Sequence, residues 1–171
     1  MTASLTIGRP RYADVQEKAL RIQQRADELR RRLARLADAD AEAFERVSAA
    51  YNLPREDDVQ KRARSQAIQA ALAVAADVPL RTAQVCADVL ELAEEAAPIL
   101  NQSVISDVMV GALLAKAALA SAAINVEINQ AAMSDPAVVE RLASQLLQAQ
   151  RGVEERIERT LATGRSRFRG A

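Results

Sequence analysis

Any chemistry in this chain is done without histidine, because its 171 residues contain none. Histidine triads, imidazole general bases and histidine metal sites are thereby excluded. The one cysteine, Cys86, has no partner for an internal disulfide, which fits a reducing cytoplasm. Carboxylates, amides, hydroxyls and basic side chains remain. Asp38 and Asp40 lie inside a long helical repeat. Residues two apart point about 200° away from each other on a helix, so these two are not a paired acid and base. Asp40 continues the spacing of Leu33 and Leu36 and is expected on the buried stripe. A carboxylate there costs free energy unless paired, and its pKa tends to rise toward the range useful for general acid–base work. A core ion pair with one of the arginines is the competing explanation.

A second polar group interrupts an Ala-rich stretch. Ser121, Asn125 and Asn129 are spaced by four and share one helix face. Asp107 precedes Asn125 by 18 residues, five full turns, and shares that face at a rise of about 27 Å. Either a long substrate lies along the row or a second subunit completes each site. Asparagines in an apolar helix also serve as interhelical hydrogen bonds that fix register. Ser106 and Asp107 equally suit a helix N-terminus. Arg9, Arg11 and Tyr12 could hold an anionic ligand, or form a solvated basic turn.

These residues need helices to position them. There are 37 alanines against 5 glycines and 5 prolines, and hydrophobic residues make up 50%. That balance predicts an all-α, single-domain bundle of about five helices over residues 1–163. Zero net charge and 2% aromatics leave no footprint for nucleic acid. The first helix runs from about Ala13 to Tyr51, with apolar residues at Val15, Ala19, Ile22, Ala26, Leu29, Leu33, Leu36, Ala43, Val47 and Ala50. A second runs from Arg55 to Val78, where Pro79 is expected to kink or break it, and a third spans Leu80 to Leu100. The fourth, Ser106 to Met133, is Ala-rich and apolar, but Lys116 near its middle argues for a buried central or intersubunit helix rather than a membrane span. A last helix starts at Pro136 behind Asp135 and continues through Leu161. The basic segment 164–171 is expected to fray. No secretory signal is visible near Met1.

Several segments together resemble one family. They are Leu36-Ala-Asp38-Ala-Asp40-Ala-Glu-Ala-Phe44, Ala50-Tyr-Asn-Leu53-Pro54, Ile68-Gln69-Ala-Ala-Leu72, Val78-Pro79-Leu80, Asn101 with Ser106-Asp107, Gly111-Ala112 and Asn125-Val-Glu-Ile-Asn129. In order and spacing they are similar to the cyclodeaminase/cyclohydrolase family, which includes formiminotetrahydrofolate cyclodeaminase and methenyltetrahydrofolate cyclohydrolase. The resemblance implies an all-helical, dimeric enzyme acting on the one-carbon unit between N5 and N10 of tetrahydrofolate, with no metal or cofactor. It places the catalytic aspartate within Asp38 to Phe44 without choosing between Asp38 and Asp40; the stripe favours Asp40. Asn101, Ser106, Asp107, Asn125 and Asn129 would bind the substrate or hold the reacting water, with Arg9 and Tyr12 as further binding residues. Family members carry a helix and a Gly-rich turn ahead of the segment matching Leu5-Thr6-Ile7-Gly8, so this chain is expected to be shortened at its N-terminus. The absence of a fused transferase domain favours the cyclohydrolase over the cyclodeaminase. A non-catalytic helical interaction protein, or an inactive remnant, is the expectation from a different class.

Overall fold

The structure is a computed structural model and describes residues 1–169. A short 3-10 helix, Pro10–Val15, leads into α1 (Gln16–Tyr51). Five of its buried positions, Ile22, Leu29, Leu36, Ala43 and Ala50, repeat every seven residues and form a heptad seam that faces the neighbouring helix, with Ala19 buried beside its start. Asp57 caps α2 (Asp58–Ala96) by accepting the Gln60 N–H. A second 3-10 turn, Gln102–Val104, precedes α3 (Ile105–Ala131); α4 (Pro136–Gln150) and α5 (Val153–Arg169) follow.

α2 is the middle of the bundle. α1 and α3 flank it, both antiparallel to it, and α4 and α5 cover the remaining side. Leu80, Val85, Cys86 and Leu90 of α2 are almost wholly buried. Burial pushes the Cys86 thiol pKa up. On one margin of the α1–α2 seam Arg25 pairs with Glu91 and Glu95, and Arg32 with Asp88. These pairs are half exposed and add little stability.

Three boundaries differ from the sequence expectation. Pro79 does not break the chain into two helices: α2 runs straight through it as one element. The last segment, expected as one helix, is two. Arg151 is extended and Gly152 takes φ 72°, a left-handed conformation that ends α4. The basic tail is helical rather than frayed as far as the described residues go, while Gly170 and Ala171 lie outside them. Gly164 is buried against Met109 of α3, whose side chain would have to move to admit a Cβ there. Arg167 donates to the Ala97 carbonyl at the end of α2, and burial lowers its pKa.

α3 buries one face, including Ala112, Leu119 and Val126, and leaves another open. It is the one helix among the described residues long and apolar enough to cross a membrane. Lys116 near its middle pairs with Glu154 of α5.

Candidate active site

The heptad seam locates Asp40. The positions that fill it are Leu36, the half-buried Ala39 and Ala43; Asp40 itself is exposed, so the expectation of a buried carboxylate is corrected. Asp40 stands instead on one margin of the seam, and that margin has a direction. A cavity of about 270 Å³ lies at the N-terminal end of the bundle between α1 and α3. Its walls include Gln23 and Ala26 of α1, Ala93 of α2, and Asp107 and Gly111 of α3. Asp40 lies two heptads beyond Ala26 and so occupies the same side of α1. Asp38 is at a different heptad position and faces away from this side.

Counting along the three helices brings the site together. Fourteen residues, about 21 Å, separate Ala26 from Asp40 on α1, Ala93 from Pro79 on α2, and Gly111 from Asn125 on α3. Counting thus places Asp40, Pro79 and Asn125 at one level along the groove, or trough, between α1 and α3 beside α2, where Pro79 itself is buried. One bond verifies the register: Asn129 Nδ2 donates to the Ala75 carbonyl at 3.2 Å. Asp107 lines the cavity, Asn129 bonds to α2, and the exposed Asn125 lies between them along α3. Ser121 is turned outward and bonds to its own helix at the Ala117 carbonyl.

The Asn129 bond also explains α2. Pro79 has no N–H, so the carbonyl four residues back, that of Ala75, loses its helical partner. Asn129 supplies one from α3 and donates as well to the Asn125 carbonyl at 2.8 Å. Its Oδ1 remains free to accept. Asn129→Leu is expected to cost about 1–3 kcal/mol by stranding the carbonyl. In a Pro79→Ala background the restored N–H takes that carbonyl and the cost shrinks. Denaturant melts of the four proteins measure the coupling; an equal cost in both backgrounds contradicts this account.

The other expected binding residues are elsewhere. Asn101 is buried and its side chain makes three hydrogen bonds: Nδ2 donates to the Leu5 carbonyl, and Oδ1 accepts from Tyr12 Oη and the Ser103 N–H. Tyr12 Oη also accepts the Gln102 N–H. Thr6 Oγ1 accepts the Asn101 N–H. Gln16 bonds to Thr6, Gly8 and Tyr12. This network pins the N-terminal segment onto the junction between α2 and α3. Arg9 and Ser106 are exposed at the same end. Asn101, Tyr12, Arg9 and Ser106 are thus not brought to Asp40. Most bonds of this network go to main-chain groups, which carry no residue pattern, and its one side-chain pair, Tyr12 with Asn101, joins residues 89 apart.

At the level of Asp40 the trough offers an exposed carboxylate with no hydrogen bond or ion pair among the described residues, one uncommitted amide, Asn125, and one amide with a free acceptor, Asn129. A carboxylate without a competing cation can accept a proton and stabilise a cationic substrate. The amides suit a planar heterocycle with N–H and C=O edges.

Comparison with known proteins agrees in fold and in sequence. The formiminotransferase-cyclodeaminase family model matches residues 1–148. A methenyltetrahydrofolate cyclohydrolase of Methylorubrum extorquens is 41% identical over 164 residues, covering 94% of this chain and 79% of that one. The formimidoyltransferase-cyclodeaminase of Rattus norvegicus is 29% identical over 141 residues, which are 82% of this chain but 26% of the longer rat protein. The crystal structure of formiminotetrahydrofolate cyclodeaminase from Thermotoga maritima superposes with a TM-score of 0.84 at 28% identity, over 97% of this chain and 79% of that one. With the family model matched over most of its length, the chain belongs to the formiminotransferase-cyclodeaminase family.

Proposed function

We propose that this protein is a cytoplasmic folate one-carbon enzyme that hydrolyses 5,10-methenyltetrahydrofolate to 10-formyltetrahydrofolate. The observation that carries this reading is the 41% identity to a methenyltetrahydrofolate cyclohydrolase across nearly the whole chain. The trough supplies matching chemistry. Water adds to the cationic bridge carbon while the Asp40 carboxylate takes its proton. The carbon–N5 bond of the adduct then breaks, N10 keeps the formyl group, and the carboxylate returns a proton to N5. One proton is released overall, and no metal or cofactor takes part. Asn125 and Asn129 orient the pterin or the reacting water, and Asp107 marks the far end of the same trough.

The likeness to the Thermotoga maritima and rat proteins supports a second reaction at the same carboxylate. In it, N10 attacks the carbon of a protonated 5-formimino group, Asp40 accepts the N10 proton and returns it to the departing nitrogen, and the carbon–nitrogen bond breaks to release ammonia and leave the methenyl cation. Incubation with each substrate separates the two. Loss of methenyl absorbance with formation of 10-formyltetrahydrofolate supports the hydrolase. Ammonia release from the formimino substrate, with methenyl accumulating, supports the deaminase. Neither product above a buffer blank contradicts both and leaves a non-catalytic role.

A second copy of the chain fits the open face of α3. Val110 (53% exposed), Leu114 (66%), Ile124 (57%) and Ile128 (63%) form one apolar stripe there. Sedimentation at micromolar concentration is expected to show a homodimer, and Leu114→Glu with Ile124→Glu a monomer. A wild-type monomer contradicts this assignment. No membrane or nucleic acid enters this reading.

A further inference from the structure

We infer that Phe44 is the stacking platform for the pterin ring of the folate substrate. The inference rests on the folate reading above and adds a residue that recognises the substrate's heterocycle. Phe44 is one of only two phenylalanines in the chain, and it is 73% exposed. A single exposed apolar residue needs no explanation by itself. Its position does. Phe44 lies three heptads beyond Gln23, and Gln23 lines the cavity at the other end of the trough. Phe44 therefore stands on the same side of α1 as Asp40, one turn and about 6 Å further along.

The opposite wall advances in step. Four residues take Asp40 to Phe44 on α1 and Asn125 to Asn129 on α3. Asn129 has committed its Nδ2 to the Ala75 and Asn125 carbonyls, so it can offer an incoming ligand only an acceptor, Oδ1. A ring lying on Phe44 with its edge toward Asn129 must then donate. The reduced pterin does so through its ring N–H groups and exocyclic amine, whereas the benzoyl ring on the other side of the reacting bridge has no donor. That orients the substrate: the pterin lies toward Phe44, the N5–N10 bridge at Asp40, and the benzoylglutamate toward the cavity end. Tyr51, one heptad beyond Phe44, is also exposed, but the Arg64 guanidinium lies 5.5 Å from its ring centre and occupies one face of it.

The test uses the full-length protein. Aromatic stacking on a heterocycle is worth about tenfold in affinity. Phe44→Ala is expected to raise KM for 5,10-methenyltetrahydrofolate about tenfold, and to weaken 5-formyltetrahydrofolate binding by the same factor in a calorimetric titration. Binding of p-aminobenzoylglutamate, which lacks the pterin, is expected to stay as in wild type. Phe44→Trp should restore both values, and Phe44→Leu, apolar but without a π face, should not. Unchanged 5-formyltetrahydrofolate binding in Phe44→Ala overturns the inference, as does full recovery with Phe44→Leu. So does a loss of binding that sedimentation traces to a broken dimer. A wild-type protein that neither binds nor turns over any folate overturns the folate reading itself, and the inference with it. A wild type that binds folate, with Phe44→Ala binding it equally well, overturns the inference alone.

Discussion

Asp40→Asn is expected to lower kcat about 10² to 10⁴-fold while leaving the melting curve where it was. The amide keeps the shape of the carboxylate but can neither take a proton from water nor balance the charge on the methenyl carbon, and general acid–base contributions are typically of that size. Stability should not follow, because Asp40 is exposed and makes no hydrogen bond or ion pair among the described residues. Surface positions of that kind usually shift stability by no more than about 0.5 kcal/mol. Asp38→Asn is the control: it changes the same functional group two residues away, on a side of α1 that does not border the trough, and should leave kcat at the wild-type level. The reverse pattern would mean that substrate approaches α1 from the side opposite α3.

Asn101→Ala is expected to do the opposite, costing stability and sparing catalysis. The substitution removes three side-chain bonds and leaves the Leu5 carbonyl, the Ser103 N–H and part of the Tyr12 hydroxyl unpaired. Stranding groups at a buried junction costs about 2–4 kcal/mol in total. For a domain of this size that corresponds to a Tm lower by about 4–16 °C. Below the transition, KM for folate should be unchanged. A raised KM with an unchanged Tm would return Asn101 to the substrate.

The sequence carries the helices better than their ends. Five helices are expected and five α-helices are found among the described residues, but through two compensating differences. Pro79 reads as a break, and would be one in isolation; it is tolerated because Asn129 arrives from 50 residues away to occupy the freed carbonyl. Gly152 carries no such warning inside an otherwise regular apolar pattern, yet its positive φ divides the last segment. The tail is helical because of two tertiary contacts, Gly164 on Met109 and Arg167 on Ala97, that no local pattern contains.

The candidate site was half legible. The spacing of Asp107, Asn125 and Asn129 is local to one helix, so their common face follows from the period alone. Asp40 was singled out by a stripe that in fact passes through Ala39. A position on the margin of a seam and one within it differ by a fraction of a turn, which spacing by threes and fours does not resolve. Asn101 and Tyr12 were singled out as binding groups, yet their partners are main-chain atoms and one another. Such partners are visible only once α2 has folded back against the N-terminal segment.

On the reading proposed above, folate is converted in the trough between α1 and α3, at Asp40. In a crystal structure of the protein with bound 5-formyltetrahydrofolate, the N5–N10 region is expected within hydrogen-bond reach of the Asp40 carboxylate, at the level of Pro79 and beside Asn125. Folate bound at the Arg9, Tyr12 and Asn101 end, with the Asp40 level of the trough empty, would contradict it.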